Sequence, residues 1–156
     1  MNTSRLSVLL AGLGSFGLLA GAFAFQHLGG LMPCVMCIWQ RWPHAVAIAL
    51  AILALWLLPG LRRPLAWLGA LTMAISAGLG LYHAGVEQKW WANVAGCAGG
   101  IDPKGMSTQD LLAQIRETPM VACDEIAWEM FGISMAGWNG LISTGLLVLW
   151  IIAARR

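Results

Sequence analysis

Four long stretches without a formal charge leave this chain few ways to fold. Leu6 to Phe25, Trp42 to Leu61, Pro64 to Val86 and Met130 to Ala154 contain no Asp, Glu, Lys or Arg. Each supplies the roughly 20 residues a helix needs to cross a hydrocarbon core of about 30 Å. Backbone groups inside that core find no water and must bond to one another, which restricts spanning segments to helices or closed barrels. No ten-residue alternation of the barrel kind is present, so the runs are helices. The expected architecture is all-α, an integral membrane four-helix bundle. It forms a single membrane domain over residues 1–156, with spans at 6–25, 42–61, 64–86 and 130–154, a short outer loop at 26–41 and a long one at 87–129.

Composition agrees. The chain is 59% hydrophobic and only 10% charged, against about 25% charged in soluble domains. Its net charge of +2 and scattered basic residues exclude a nucleic-acid partner. All seven acidic residues, Glu87, Asp102, Asp110, Glu117, Asp124, Glu125 and Glu129, lie between 87 and 129, which marks that segment as the large aqueous part.

Orientation follows from the basic residues. Arg5, Arg62, Arg63, Arg155 and Arg156 crowd helix ends on one side, two of them in the short turn from Pro59 to Pro64. Arg41, Lys89, Lys104 and Arg116 lie on the other. By the positive-inside rule both termini are cytoplasmic. The first apolar run continues through Phe25, longer than the core of a cleaved signal peptide, so an uncleaved first span is expected. Trp39, Trp42, Trp90, Trp91, Trp128 and Trp138 then fall near the outer boundary, where amphipathic rings settle.

The four cysteines all lie on the outer side, Cys34 and Cys37 in the short loop, Cys97 and Cys123 in the long one. An even number outside the cytoplasm points to disulfides, with three pairings open. Ser107-Thr108-Gln109-Asp110 resembles a helix start, with Leu111, Leu112 and Ile115 as an apolar stripe opposite Gln109, Arg116 and Glu117. Gly96, Gly99 and Gly100 surround Cys97 and make it the cysteine best able to move.

Cys34-Val35-Met36-Cys37 has the spacing of thiol oxidoreductases, in which a neighbouring sulfur resolves a mixed disulfide. A position just before the second span places both sulfurs near a helix amino terminus, whose partial positive charge favours a thiolate. Arg41, four residues after Cys37, shares its helical face and holds a positive charge one turn away. Snorkelling to lipid headgroups explains Arg41 equally well. Pro43 either begins the helix or kinks it. Structural zinc normally takes two close cysteine pairs, whereas Cys97 and Cys123 are 26 positions apart. Haem attachment fails because Ile38 follows Cys37. Permanent disulfides in a non-catalytic membrane protein are a further reading, yet a bond across so small a loop constrains little. Reactivity accounts better for Cys34 and Cys37.

Phe25-Gln26-His27 followed by Pro33-Cys34-Val35-Met36-Cys37-Ile38-Trp39-Gln40-Arg41 resembles the first outer loop of the DsbB family of disulfide-generating membrane proteins. Tyr82-His83 with Glu87, the pair Cys97 and Cys123, and Trp128, Gly132, Met135 and Trp138 extend the resemblance over nearly the whole chain. It implies an enzyme of the bacterial inner membrane that reoxidises a periplasmic DsbA-like thiol oxidase and passes two electrons to a membrane quinone, ubiquinone or menaquinone. On that resemblance, Cys97 is attacked by the reduced partner, Cys123 helps resolve the mixed disulfide, and Cys34 exchanges with Cys123. Cys37 then faces the quinone beside Arg41, while His83 and Glu87, at the outer end of the third span, either relay protons to the quinone or are ordinary interfacial polar residues. Vitamin-K-epoxide-reductase-like enzymes share the bundle, motif and quinone, but their redox motif is expected late in the bundle.

Overall fold

The computed structural model describes residues 2–92, 109 and 123–156. Cys97 and the helix start expected at Ser107 fall outside these, Gln109 excepted. Helix α1 runs Thr3–His27 and is capped by Asn2, whose side chain accepts from the Arg5 amide at 3.2 Å. Helix α2 runs Val35–Ile52 and ends in a wider π turn, Leu53–Leu57. After the 3-10 turn Pro59–Leu61, α3 covers Arg62–Glu87, and α4 covers Met135–Arg155. All four are long and apolar enough to cross a membrane.

Two element boundaries differ from the uncharged runs. Helix α2 begins at Val35, seven positions before Trp42, and carries Pro43 in its interior. Cys34 makes this possible as the cap, its sulfur accepting the Cys37 amide at 3.1 Å. At the other end of the chain, residues 129–134 are not helical. Glu129–Met130 and Ile133–Ser134 form an antiparallel pair, with Glu129 opposite Ser134 and Met130 opposite Ile133. The turn places Phe131 at φ 55° and Gly132 at φ 74°, the doubly left-handed arrangement of the tightest hairpins. Ser134 then caps α4 by accepting from the Gly137 amide at 3.1 Å.

Large apolar side chains such as Leu13, Phe16, Leu71 and Val148 are exposed, whereas the interior is rich in alanine and serine. That inverted distribution suits lipid, where helices associate through small residues and interhelical hydrogen bonds. Trp150, fully buried, is the large exception in the core and lies on Gly69, where an added Cβ would stand 2.4 Å from its indole. Helices α3 and α4 make the most extensive contact. At their crossing a Cβ on Gly80 would lie 2.6 Å from the Gly140 amide nitrogen.

Candidate active site

Capping by Cys34 sets the site. A sulfur that ends the helix faces inward, and Cys37, one turn on, stands beside it. Cys34 is buried and Cys37 half-buried, both as free thiols. The hydrogen shared with Cys37, then burial, hold the Cys34 thiol well above the ordinary cysteine range.

From α3, His83 brings Nε2 to 3.6 Å from the Cys34 sulfur. Glu87, one turn further, has Oε1 3.9 Å from the same nitrogen. The Ser134 hydroxyl lies against the Glu87 carboxylate, whose Oε2 is buried without a hydrogen-bond partner. Arg41 donates through Nη1 to Gln26 Oε1 at 2.6 Å and through Nη2 to the Ala22 carbonyl at 3.4 Å, and its guanidinium lies 4.9 Å from the centre of the Phe23 ring. Among the described residues no carboxylate pairs with it. Its charge is held in place by neutral groups and left for an anion.

These side chains meet at one cavity of about 430 Å³, lined by Cys34, Cys37, Arg41, His83 and Glu87 together with apolar residues such as Phe25, Trp128 and Ile142. Cys123 does not line the cavity. It packs behind Cys34 in a buried cluster with Met36 and Val86. Cys123 is disulfide-bonded, and since Cys34 and Cys37 are free its partner lies outside the described residues. Lys89 fixes the segment after Cys123, donating to the Asp124 carbonyl at 3.0 Å and pairing with its carboxylate. The Lys89 ammonium holds the Asp124 carboxyl below its usual range. Whatever this pair contributes is present above the ordinary carboxylate range and lost as pH falls through the depressed value. Lys89→Met is expected to return Asp124 to the ordinary range in a carboxyl NMR titration; an unchanged midpoint would remove Lys89 as the cause.

Sequence reasoning missed a chain of hydrogen-bonded polar groups, of which Gln40, His44 and Asn139 also line the cavity. The Gln40 amide nitrogen lies 2.7 Å from His83 Nδ1, Gln40 Oε1 accepts from Asn139 at 2.7 Å, and Asn139 Oδ1 is 2.8 Å from His44 Nε2. Ser76 continues from His44 at 3.3 Å to Ser143 at 3.0 Å. The available signal was Gln40 and His44 four apart within an apolar span, where polar groups pair with one another.

Cys34, Cys37 and His83 present ligand atoms within 4.8 Å of one another, a grouping that a metal ion can use. The hydrogen-bond pattern opposes this: with Nδ1 accepting from Gln40, the neutral ring carries its proton on Nε2, the nitrogen facing sulfur. Two thiols under a helix start, a donor imidazole and an unneutralised arginine at an apolar cavity instead suit electron transfer from sulfur.

The model of the family "Disulfide bond formation protein DsbB" matches residues 4–153. The chain belongs to the DsbB family. Disulfide bond formation protein B of Albidiferax ferrireducens is 35% identical over 161 residues, covering 97% of this chain and 87% of the relative. Its counterpart in Shewanella loihica is 32% identical, covering 96% and 88%. An uncharacterised protein of Rickettsia prowazekii is 28% identical over 83% of this chain and 76% of its own. No solved structure matches. As a DsbB family member with four spanning helices, the protein is a multi-pass membrane oxidoreductase that forms disulfides.

Proposed function

We propose that the protein reoxidises a periplasmic DsbA-like dithiol oxidase and delivers the two electrons to a membrane quinone, ubiquinone or menaquinone. The observation that carries this reading is the placement of Cys34 and Cys37 on the wall of a mostly apolar cavity that Arg41 also lines. Its volume is in the range of small-molecule sites. The unpartnered Glu87 Oε2 and the unneutralised Arg41 are the kind of groups a ring bearing two oxygens meets. Quinone supplies a two-electron, two-proton acceptor, so that two thiols become one disulfide as one quinone becomes one quinol.

The chain's own residues do the rest. Cys97 and Cys123 form the pair that meets the partner, Cys123 passes the electrons on by exchange with Cys34, and Cys37 faces the quinone. Arg41 stabilises negative charge at that sulfur or at a quinone oxygen. Glu87, at the same cavity, relays protons to the quinone. Dithiol oxidases of the DsbA class are known strong oxidants at about −120 mV, so the acceptor must be more oxidising still. The cysteines lie on the periplasmic side of a bacterial inner membrane and both termini are cytoplasmic, in keeping with the arginines at the helix ends.

Anaerobic mixing of the purified protein with quinone and a reduced DsbA-like oxidase is expected to consume quinone at one equivalent per dithiol, followed by quinone absorbance. Oxidation of the dithiol without loss of quinone would overturn the proposal.

A further inference from the structure

The hydrogen bonds around His83 have a direction that one atom fixes. Met36 presents a backbone carbonyl, which only accepts, so the Gln40 atom 3.3 Å from it is the amide nitrogen. Its second hydrogen goes to His83 Nδ1 at 2.7 Å, and that nitrogen is therefore unprotonated. Gln40 Oε1 is then the acceptor for the Asn139 amide, and Asn139 Oδ1 the acceptor for His44 Nε2. No member of this chain can be turned round without opposing two acceptors at Met36 or two donors further along. The proton of His83 is thus committed to Nε2. From there it faces the Cys34 sulfur at 3.6 Å, and the ring also bonds to the backbone of Cys123.

We infer that His83 is a catalytic hydrogen-bond donor in the exchange between Cys34 and Cys123, with Gln40, Asn139 and His44 as positioning residues that lock its tautomer. This rests on the proposed exchange between the two cysteine pairs. In the step concerned, the Cys97 thiolate attacks the Cys123 sulfur of a Cys34–Cys123 disulfide. The Cys97–Cys123 bond forms, the Cys34–Cys123 bond breaks, and the electron pair leaves on the Cys34 sulfur, so no outside oxidant is needed. Burial makes that sulfur a costly place for negative charge. Two donors already point at it, the Cys37 amide at 3.1 Å and His83 Nε2. Charge-assisted bonds of this kind are the strong ones. The same imidazole holds the Cys123 backbone, so one ring both aligns the incoming segment and receives the charge that exchange creates. His83 is in this role a sulfur-side group, distinct from the quinone-side role that the family resemblance implied.

The test uses the full chain carrying Cys37→Ser and Cys97→Ser, in which Cys34 and Cys123 can pair only with each other. Equilibration with dithiothreitol redox buffers at pH 8, without quinone or partner protein, gives the midpoint of that bond from a maleimide gel shift. Adding His83→Leu is expected to make reduction about tenfold less favourable, a midpoint about 30 mV lower. His83→Gln keeps a donor near the Nε2 position and is expected to stay within about threefold of the parent. Gln40→Leu unlocks the tautomer and is expected to shift the midpoint in the same direction by about threefold or more. An unshifted His83→Leu protein, a Gln variant shifted as far as the Leu variant, or failure of the parent to form the bond overturns the inference. Should His83→Leu not fold, an unshifted Gln40→Leu protein overturns it. Because quinone is absent throughout, loss of quinone reduction is a separate result bearing only on the acceptor.

Discussion

Cys37→Ser protein is expected to produce no quinol from a reduced dithiol oxidase, however much quinone is supplied. Serine keeps the size and polarity of the side chain but cannot form the second half of a disulfide, so Cys34 is left with no partner sulfur at the cavity and can close only on Cys123. The substitution spares the local fold for an identifiable reason. The bond that caps α2 runs from the backbone amide of residue 37 to the Cys34 sulfur and does not involve the Cys37 side chain. Stability is therefore expected to stay within about 1 kcal/mol, with the cavity intact. Absorbance of quinone under anaerobic conditions reads the loss directly, and thermal unfolding in detergent shows that the loss is chemical. Turnover retained in this variant would mean that electrons leave the protein by a route other than the Cys34–Cys37 pair.

The membrane made most of the architecture legible. Backbone groups in lipid must be bonded locally, so an uncharged run of sufficient length has little alternative to a helix, and four such runs contain most of the helical residues. The start of α2 was open between two readings, because Pro43 can begin a helix or sit inside one already begun, and the structure takes the second. Cys34 supplies the cap, and Arg41 is accommodated by Gln26, the Ala22 carbonyl and the Phe23 ring. The hairpin before α4 is too short for a pattern, two residues a strand, and its turn uses Phe131 where glycine or asparagine would have announced it.

The site was legible to the extent that its parts are near in sequence. Cys34, Cys37 and Arg41 fall within about two turns of helix, and spacing alone joins them. His83 and Glu87 came only from family resemblance, because nothing in a one-dimensional pattern joins residue 83 to residue 34. Gln40, Asn139 and His44 were passed over, since Gln40 and Asn139 lie 99 positions apart and His44 and Asn139 lie 95 apart. A buried amide in a spanning helix has to find a partner, but the sequence does not say which. The glycines tell the same story: Gly78 and Gly80 look alike in the chain, yet only one of them is a point of contact.

That difference gives the second large effect. Gly80→Ala is expected to cost about 3 kcal/mol, the upper end of the overpacking range, whereas Gly78→Ala on the same helix is expected to be neutral or slightly stabilising. A Cβ at position 80 would meet the Gly140 amide nitrogen at 2.6 Å and its Cα at 2.7 Å, both backbone atoms that cannot swing aside as a side chain would. At position 78 nothing lies within 4 Å. Relief at Gly80 therefore requires α3 and α4 to separate along their closest stretch. His83 follows Gly80 by three positions on α3, and Asn139 immediately precedes Gly140 on α4, so the separation also pulls Asn139 away from Gln40 and slackens the hold on His83. The variant should lose disulfide exchange together with stability. Both are measurable, unfolding by tryptophan fluorescence in micelles and exchange by thiol trapping. Equal stability of the two alanine variants would show that the α3–α4 contact at Gly80 is not what sets the geometry of the site.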